Sequence, residues 1–278
     1  MRNFLNNVVN EDCIRGMSRM PDNSVDMILC DLPYGTTQCK WDAIIPLEEM
    51  WAEFKRIIKP GKAIVLTSAQ PFTTTLISSN IRQFKYSWVW EKSKATGYLN
   101  AKKRPMVAHE DILVFCDKAP PYYPQMTDGT PYHKGTALRP TDTYGSQKVT
   151  TVSNETGQRY PRSVQYFKTA EAERGEYAHL NIPQHPTQKP VPMFEYLIRT
   201  YTNENELVFD ACMGSGTTAI AAMRTGRDFC GFEMDENYFQ SLTLRIRAEK
   251  ERLDALEIAT QKQADDSQDG RGDHEGDK

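Results

Sequence analysis

Short apolar runs alternate with amphipathic stretches along most of the chain. Residues 8–10 read as a short strand, and Val25-Asp26-Met27-Ile28-Leu29-Cys30 reads as a buried one. Between them a short helix is expected over 13–20, closed by the turn cluster Pro21-Asp22-Asn23-Ser24. Leu47, Met50, Trp51, Phe54, Ile57 and Ile58 recur at helical spacing, and Pro60-Gly61 stops that helix. Ala63-Ile64-Val65-Leu66-Thr67 is the next buried strand, Ser68-Ala69-Gln70-Pro71 opens another helix, and 86–90 and 110–116 are further strands. Strand–helix–strand repetition of this kind implies a mostly parallel sheet with helices on both faces.

Residues 117–183 break the rhythm. They are rich in Pro, Gly, Thr and Tyr and have no sustained periodicity. A loop this long is uncommon in a compact domain unless it is functional, so it is expected to be an insertion or small subdomain beside a pocket. The α/β pattern resumes at His185. A helix is expected over 193–201 with Pro192 near its start, then a strand over 207–209, a helix over 217–224 and a strand over 228–232. Asp235 is a good N-cap for a long helix to about residue 258. Residues 261–278 are polar, charged and Gly-rich, and are expected to be disordered. The chain therefore divides at 1–116, 117–183, 184–260 and 261–278.

Composition narrows the class. At 278 residues, 39% of them hydrophobic, the chain suits one large α/β domain or one domain with an insertion. No apolar run approaches the ~18 residues of a membrane span. The first residues lack the apolar core and cleavage site of a signal peptide. Six cysteines are scattered without a CxxC pair, which suits small buried hydrophobes in a reducing cytoplasm; neither a zinc site nor a disulfide framework is expected. A net charge of −3 argues against a uniformly basic nucleic-acid binder. The charge is uneven, however: from Arg82 to Arg104 seven Lys or Arg face one acid, Glu91. The local patch counts for more in DNA contact than the total.

Two strand ends carry the candidate chemistry. Asp31-Leu32-Pro33-Tyr34-Gly35 follows the buried strand 25–30, so an acceptor and an aromatic face stand at its carboxyl edge. In open α/β sheets ligands bind at that edge. In the loop that follows, Thr36, Thr37, Gln38 and Lys40 beside Trp41 suit either a binding lip or a Trp that packs back onto the core. Gly214-x-Gly216 lies after a strand and before a helix, which lets a ligand approach the backbone at a helix N-terminus. A purely structural turn explains a lone GxG equally well. No Lys follows the glycines, so a P-loop is disfavoured. Glu233 ends the next strand about twenty residues on, where a carboxylate accepts hydrogen bonds from both ribose hydroxyls of an adenosine-containing cofactor.

Taken together, the Asp31 motif, Asp210-x-x-x-Gly214-Ser215-Gly216-Thr217-Thr218 and His185-Pro186-Thr187-Gln188-Lys189-Pro190 resemble the amino-methylating DNA methyltransferases, in the motif order of their β-group. The resemblance covers nearly all of 4–250. It implies a Rossmann-like seven-stranded sheet, circularly rearranged, with an inserted target-recognition region at 117–183. Residues 1–116 would be the catalytic half and 184–260 the cofactor-binding half. Asp210, Gly214, Ser215, Gly216 and Thr217 would hold the methionine end of S-adenosylmethionine, Glu233 the ribose, and His185, Thr187 and Lys189 would line the same site. Asp12 would contact the adenine, or serve only as a helix N-cap.

The resemblance also implies a mechanism. Asp31 and the carbonyl of Leu32 would accept the two N–H bonds of an exocyclic amine, Pro33 would keep the turn tight, and Tyr34 would stack on a flipped base. Family members usually have Pro where Leu32 stands and Asp-Pro-Phe where Asp210-Ala211-Cys212 stands. An acid at the first position favours adenine N6; cytosine N4 is the alternative, and a non-catalytic nucleic-acid-binding module is the other. The implied partner is double-stranded DNA, gripped by Lys85, Lys92, Lys94, Lys102, Lys103 and Arg104. Gln125, Arg139, Gln147, Asn154, Arg159 and Arg162 are side-chain types that read groove edges. A second copy of the chain and a cognate restriction endonuclease stay open as partners.

Overall fold

The computed structural model describes residues 1, 3–36, 39, 42–134, 152–173, 175–180, 182 and 185–269. Thr37, Gln38, Lys40, Trp41, Arg139 and Gln147, named above, lie outside the described residues.

The strands are β1 (Asn7–Asn10), β2 (Val25–Asp31), β3 (Ile58–Ser68), β4 (Phe84–Thr96), β5 (Val107–Phe115), β6 (Tyr132–Lys134), β7 (Val152–Asn154), β8 (Val164–Phe167), β9 (Leu207–Asp210) and β10 (Asp228–Glu233). The helices are α1 (Cys13–Met17), α2 (Leu47–Ile57), α3 (Phe72–Ser79), α4 (Val191–Tyr201), α5 (Thr217–Arg224) and α6 (Glu236–Asp269). One sheet has the order β1-β10-β9-β2-β3-β5-β4-β8. β1, β10, β9, β2 and β3 are mutually parallel, β5 runs antiparallel to β3 and β4, and β8 is parallel to β4.

Strands β9 and β10 come late in the chain yet lie in the sheet beside β1 and β2. Met27 pairs with Val208 and Ile28 with Phe209. This register is how β2, early in the sequence, and β9, late in it, end at one edge. Six of the seven residues of β2 are buried, as expected of a parallel strand covered on both faces. Ile28 and Cys30 pack with Met50, Trp51, Phe54 and Phe72 on one face. Met27 and Leu29 pack with Phe194, Leu197, Ala219 and Ile220 on the other.

Three expectations need correction. The sheet has eight strands where seven were expected, because β8 emerges from the 117–183 stretch and pairs with Val89–Lys92 of β4. The first helix ends at Met17, three residues short, where Ser18 caps it. The long helix passes the end of its apolar pattern and runs to Asp269, so the tail begins as helix. Among the described residues, no helix is long and apolar enough to cross a membrane.

Candidate active site

The carboxyl ends of the parallel strands open onto a cleft of about 1350 Å³. Asp31 ends β2, Asp210 ends β9 and Glu233 ends β10, so all three acids reach this cleft from neighbouring strands. Glu110 joins them from the start of β5, because an antiparallel strand brings its amino end to the same edge.

At the β2 end, Asp31 Oδ1 accepts hydrogen bonds from the Tyr34 hydroxyl at 3.0 Å and from Thr67. Its Oδ2 meets the Lys189 ammonium at 2.7 Å. Lys189, only 6% exposed, also lies 3.4 Å from Glu110, whose other oxygen meets Lys92 at 2.5 Å. Burial pushes the Lys189 pKa down, but Asp31 and Glu110 outweigh it and hold the group above its ordinary value, hence charged. Burial, reinforced by Asp31 and Glu110, lifts the Tyr34 phenol well above its usual range, so it stays a donor. One side of the Tyr34 ring stacks on Phe72 at 5.5 Å. Leu32 buries its side chain in the core, which anchors the turn that Pro would otherwise stiffen.

At the β9 end, Asp210 is buried. Its Oδ1 accepts from the Cys212 amide at 2.9 Å and its Oδ2 from Thr218. Burial raises this carboxyl to about 6. Gly214 and Gly216 take φ of +51° and +79°, values that L side chains resist, and so turn the chain into α5. The Gly214 amide donates to Glu233 Oε2 at 2.7 Å, and the Asp235 amide donates to Oε1 at 2.8 Å. Burial raises the Glu233 carboxyl as well. Ser215 and Thr217 share a 3.1 Å hydrogen bond, and Thr217 donates to the Lys189 carbonyl at 3.2 Å. His185 packs on Tyr238 at 4.3 Å and accepts from the Thr187 amide through Nδ1; burial lowers it to about 4, so it is neutral at pH 7. Asp12 both lines the cleft and caps α1, accepting from the Arg15 amide at 3.0 Å.

The profile of a family described as DNA methylase matches residues 25–244. The chain belongs to this DNA methylase family. The type II methyltransferase M1.MboII of Moraxella bovis is 26% identical over 251 residues, covering 84% of this chain and 94% of the relative. The crystal structure of an M1.HpyAVI–SAM complex has a TM-score of 0.55 at 22% identity, over 86% of this chain and 98% of that one. The PvuII DNA methyltransferase, described as cytosine-N4-specific, has a TM-score of 0.60 at 16% identity, over 87% and 88%. At these identities the two structures speak for the fold, which they share.

The basic residues of this methylase fall into separate places. Lys85 stands at the amino end of β4, the end away from the cleft, and Lys92 is paired inside the cleft. Lys94 meets Glu171 at 3.2 Å. Lys102, Lys103 and Arg104 lie together and exposed beyond the end of β4. Among the groove-reading types, Arg159 and Asn154 bond backbone groups of their own turn, Gln125 donates to the Tyr123 carbonyl, and Arg162 is exposed.

Several residues of the site carry no motif. Thr67 needed only its strand assignment, since the end of β3 lies beside the end of β2. Glu110 lies in the amino half of β5, a strand whose apolar run was visible but whose direction was not. Arg245, in the first third of α6, donates to the Ser215 carbonyl at 3.0 Å and so braces the glycine turn; nothing in its local sequence marks it.

Proposed function

We propose that this DNA methyltransferase transfers a methyl group from S-adenosylmethionine to adenine N6 in double-stranded DNA. The observation that carries this reading is Asp31 at the end of β2, held by Thr67 and Tyr34 in the cleft that also contains Glu233 and the Gly214–Gly216 turn. The residues fit the cofactor. Each Glu233 oxygen spends one acceptor site on a backbone amide and keeps another for a ribose hydroxyl. Glycines at positive φ leave the turn open to close approach, and the anions Asp31 and Asp210 suit a sulfonium. When bound, S-adenosylmethionine supplies the electrophilic methyl group.

The chain's task is then to make an amine nucleophilic. An exocyclic amine holds its lone pair in the ring. Asp31 accepts one N–H bond and the Leu32 carbonyl accepts the other, drawing the nitrogen toward sp³ geometry. In the structure Asp31 Oδ2 is engaged by Lys189, and Glu110 offers that ammonium a second anion while Asp31 turns to the amine. Tyr34 keeps one ring face on Phe72, and the Lys189 ammonium stands 5.4 Å over its ring, so a base stacks on Tyr34 once Lys189 swings to Glu110. The 117–183 segment is assigned to target recognition, with exposed Arg162 as its first candidate.

The acid at position 31 favours adenine. The cytosine-N4 specificity of the PvuII enzyme motivates the second reading, and mass analysis of digested nucleosides separates N6-methyladenine from N4-methylcytosine. With tritiated cofactor and mixed-sequence DNA, Asp31→Ala should cut transfer by more than about 100-fold while cofactor binding survives. Glu233→Ala should weaken cofactor binding by about tenfold or more. Undiminished transfer by Asp31→Ala would overturn the assignment.

A further inference from the structure

The β4–β5 hairpin projects past the sheet at the catalytic edge. Its root residues Trp90, Lys92 and Glu110 line the cleft with Asp31, and its outer residues Tyr98 and Arg104 line the mouth of the same cleft. The ladder closes at Thr96 and Val107. Beyond it Gly97, at φ +88°, turns the chain into a short 3-10 turn. That turn is internally braced: the Asn100 amide donates to the Gly97 carbonyl at 2.9 Å, Ala101 to Tyr98 at 3.0 Å, and Arg104 to Asn100 at 3.0 Å.

The chemistry of this tip is unusual for a solvent-facing turn. Leu99 is 95% exposed and Tyr98 78% exposed. Lys102, Lys103 and Arg104 follow at once, and from residue 97 to 108 there is no acid. Apolar side chains displayed among cations, on a stiff turn, match what a duplex offers. Phosphates meet the cations, and stacked bases meet the apolar residues. Extruding a base from a duplex leaves a gap in the stack, and an inserted apolar side chain recovers part of the lost stacking.

We propose that the tip of the β4–β5 hairpin enters the duplex beside the cleft, with Leu99 filling the space left by the extruded base. Tyr98 flanks the opened step and Lys102, Lys103 and Arg104 hold the adjoining phosphates. The inference deepens the methyltransferase assignment and rests on it for the identity of the extruded base.

Two measurements test it. Leu99→Trp places a reporter at the tip, and its emission, after subtraction of wild type, should be quenched by about twofold or more on adding mixed-sequence duplex DNA, as expected for an indole stacked on bases. Leu99→Ala should lower methyl transfer to duplex DNA by about tenfold or more while cofactor binding and thermal unfolding match wild type. Unquenched emission with DNA bound, or full transfer by Leu99→Ala, would overturn the wedge. So would emission that responds to protein concentration or to anionic vesicles in place of DNA, which would make the tip a contact between copies or a membrane contact. Quenching together with no methyl transfer by wild type would leave the wedge standing and sink the methyltransferase assignment, so the two failures are distinct.

Discussion

Asp210 lies just before the Gly214–Gly216 turn in the chain, His185 lies against that turn in space, and the two are shifted in opposite senses by the same cause. Burial raises Asp210 from 3.8 to about 6 and lowers His185 from 6.5 to about 4. Between those values the folded Asp210 binds a proton that the unfolded chain has released. Its contribution to stability therefore falls as pH rises from about 4 to 6, by about 3 kcal/mol in all. For His185 the unfolded chain binds the extra proton, so its contribution rises over about the same interval. Removing one exposes the other. Asp210→Asn should gain stability with pH more steeply than wild type between about pH 4.5 and 6.5, as urea midpoints would show. Parallel slopes would mean that Asp210 titrates as an ordinary carboxyl. Such a buried acid was legible as a motif residue, but its proton was not, because burial is a property of the packed fold. The same holds for Lys189: its sequence neighbours suggest a cofactor contact, whereas the fold sets its ammonium on Asp31.

Among elements, the central strands were the easiest to read. β2, β3 and β9 sit between helical layers and are written as apolar runs. β8 was not legible, since a short, half-exposed strand at a sheet edge needs no apolar run. Strand direction was also hidden, which is why Glu110 escaped notice while Asp31 did not. Close approach between elements leaves a clearer mark in the glycines. A Cβ on Gly231 of β10 would lie 2.2 Å from the Asp210 carbonyl oxygen and 2.7 Å from Met213. Gly231→Ala should therefore push β10 away from β9, destabilising the fold by about 2 kcal/mol or more and, if Asp210 and Glu233 hold the cofactor as proposed, weakening cofactor binding as well. Urea denaturation and cofactor titration on the same preparation would check both, and wild-type values would refute the close packing.

For the molecule as a whole, a net charge of −3 is compatible with the proposed duplex partner, because Lys102, Lys103 and Arg104 lie together and exposed beside the cleft mouth. Phosphate contacts make affinity fall with salt, with a slope of about 0.9 per phosphate neutralised. Changing Lys102 and Lys103 together to Ala should lower the magnitude of that slope by about two, and changing Lys85, at the far end of β4, should leave it unaltered. Fluorescence anisotropy on a mixed-sequence duplex over a salt series would decide it.

The eighth strand has a consequence for how this molecule can be altered. β4 is long, and its outer margin is covered by β8 only along Val89–Lys92. A chain from which 117–183 were excised would present that margin bare, with unpaired amides and carbonyls that invite strand-to-strand pairing between molecules. By covering that margin, β8 is expected to guard the sheet edge against such pairing. A segment transplanted into this position from a relative must bring its own strand for β4, or the chimaera is expected to lose solubility before the proposed recognition role can be tested.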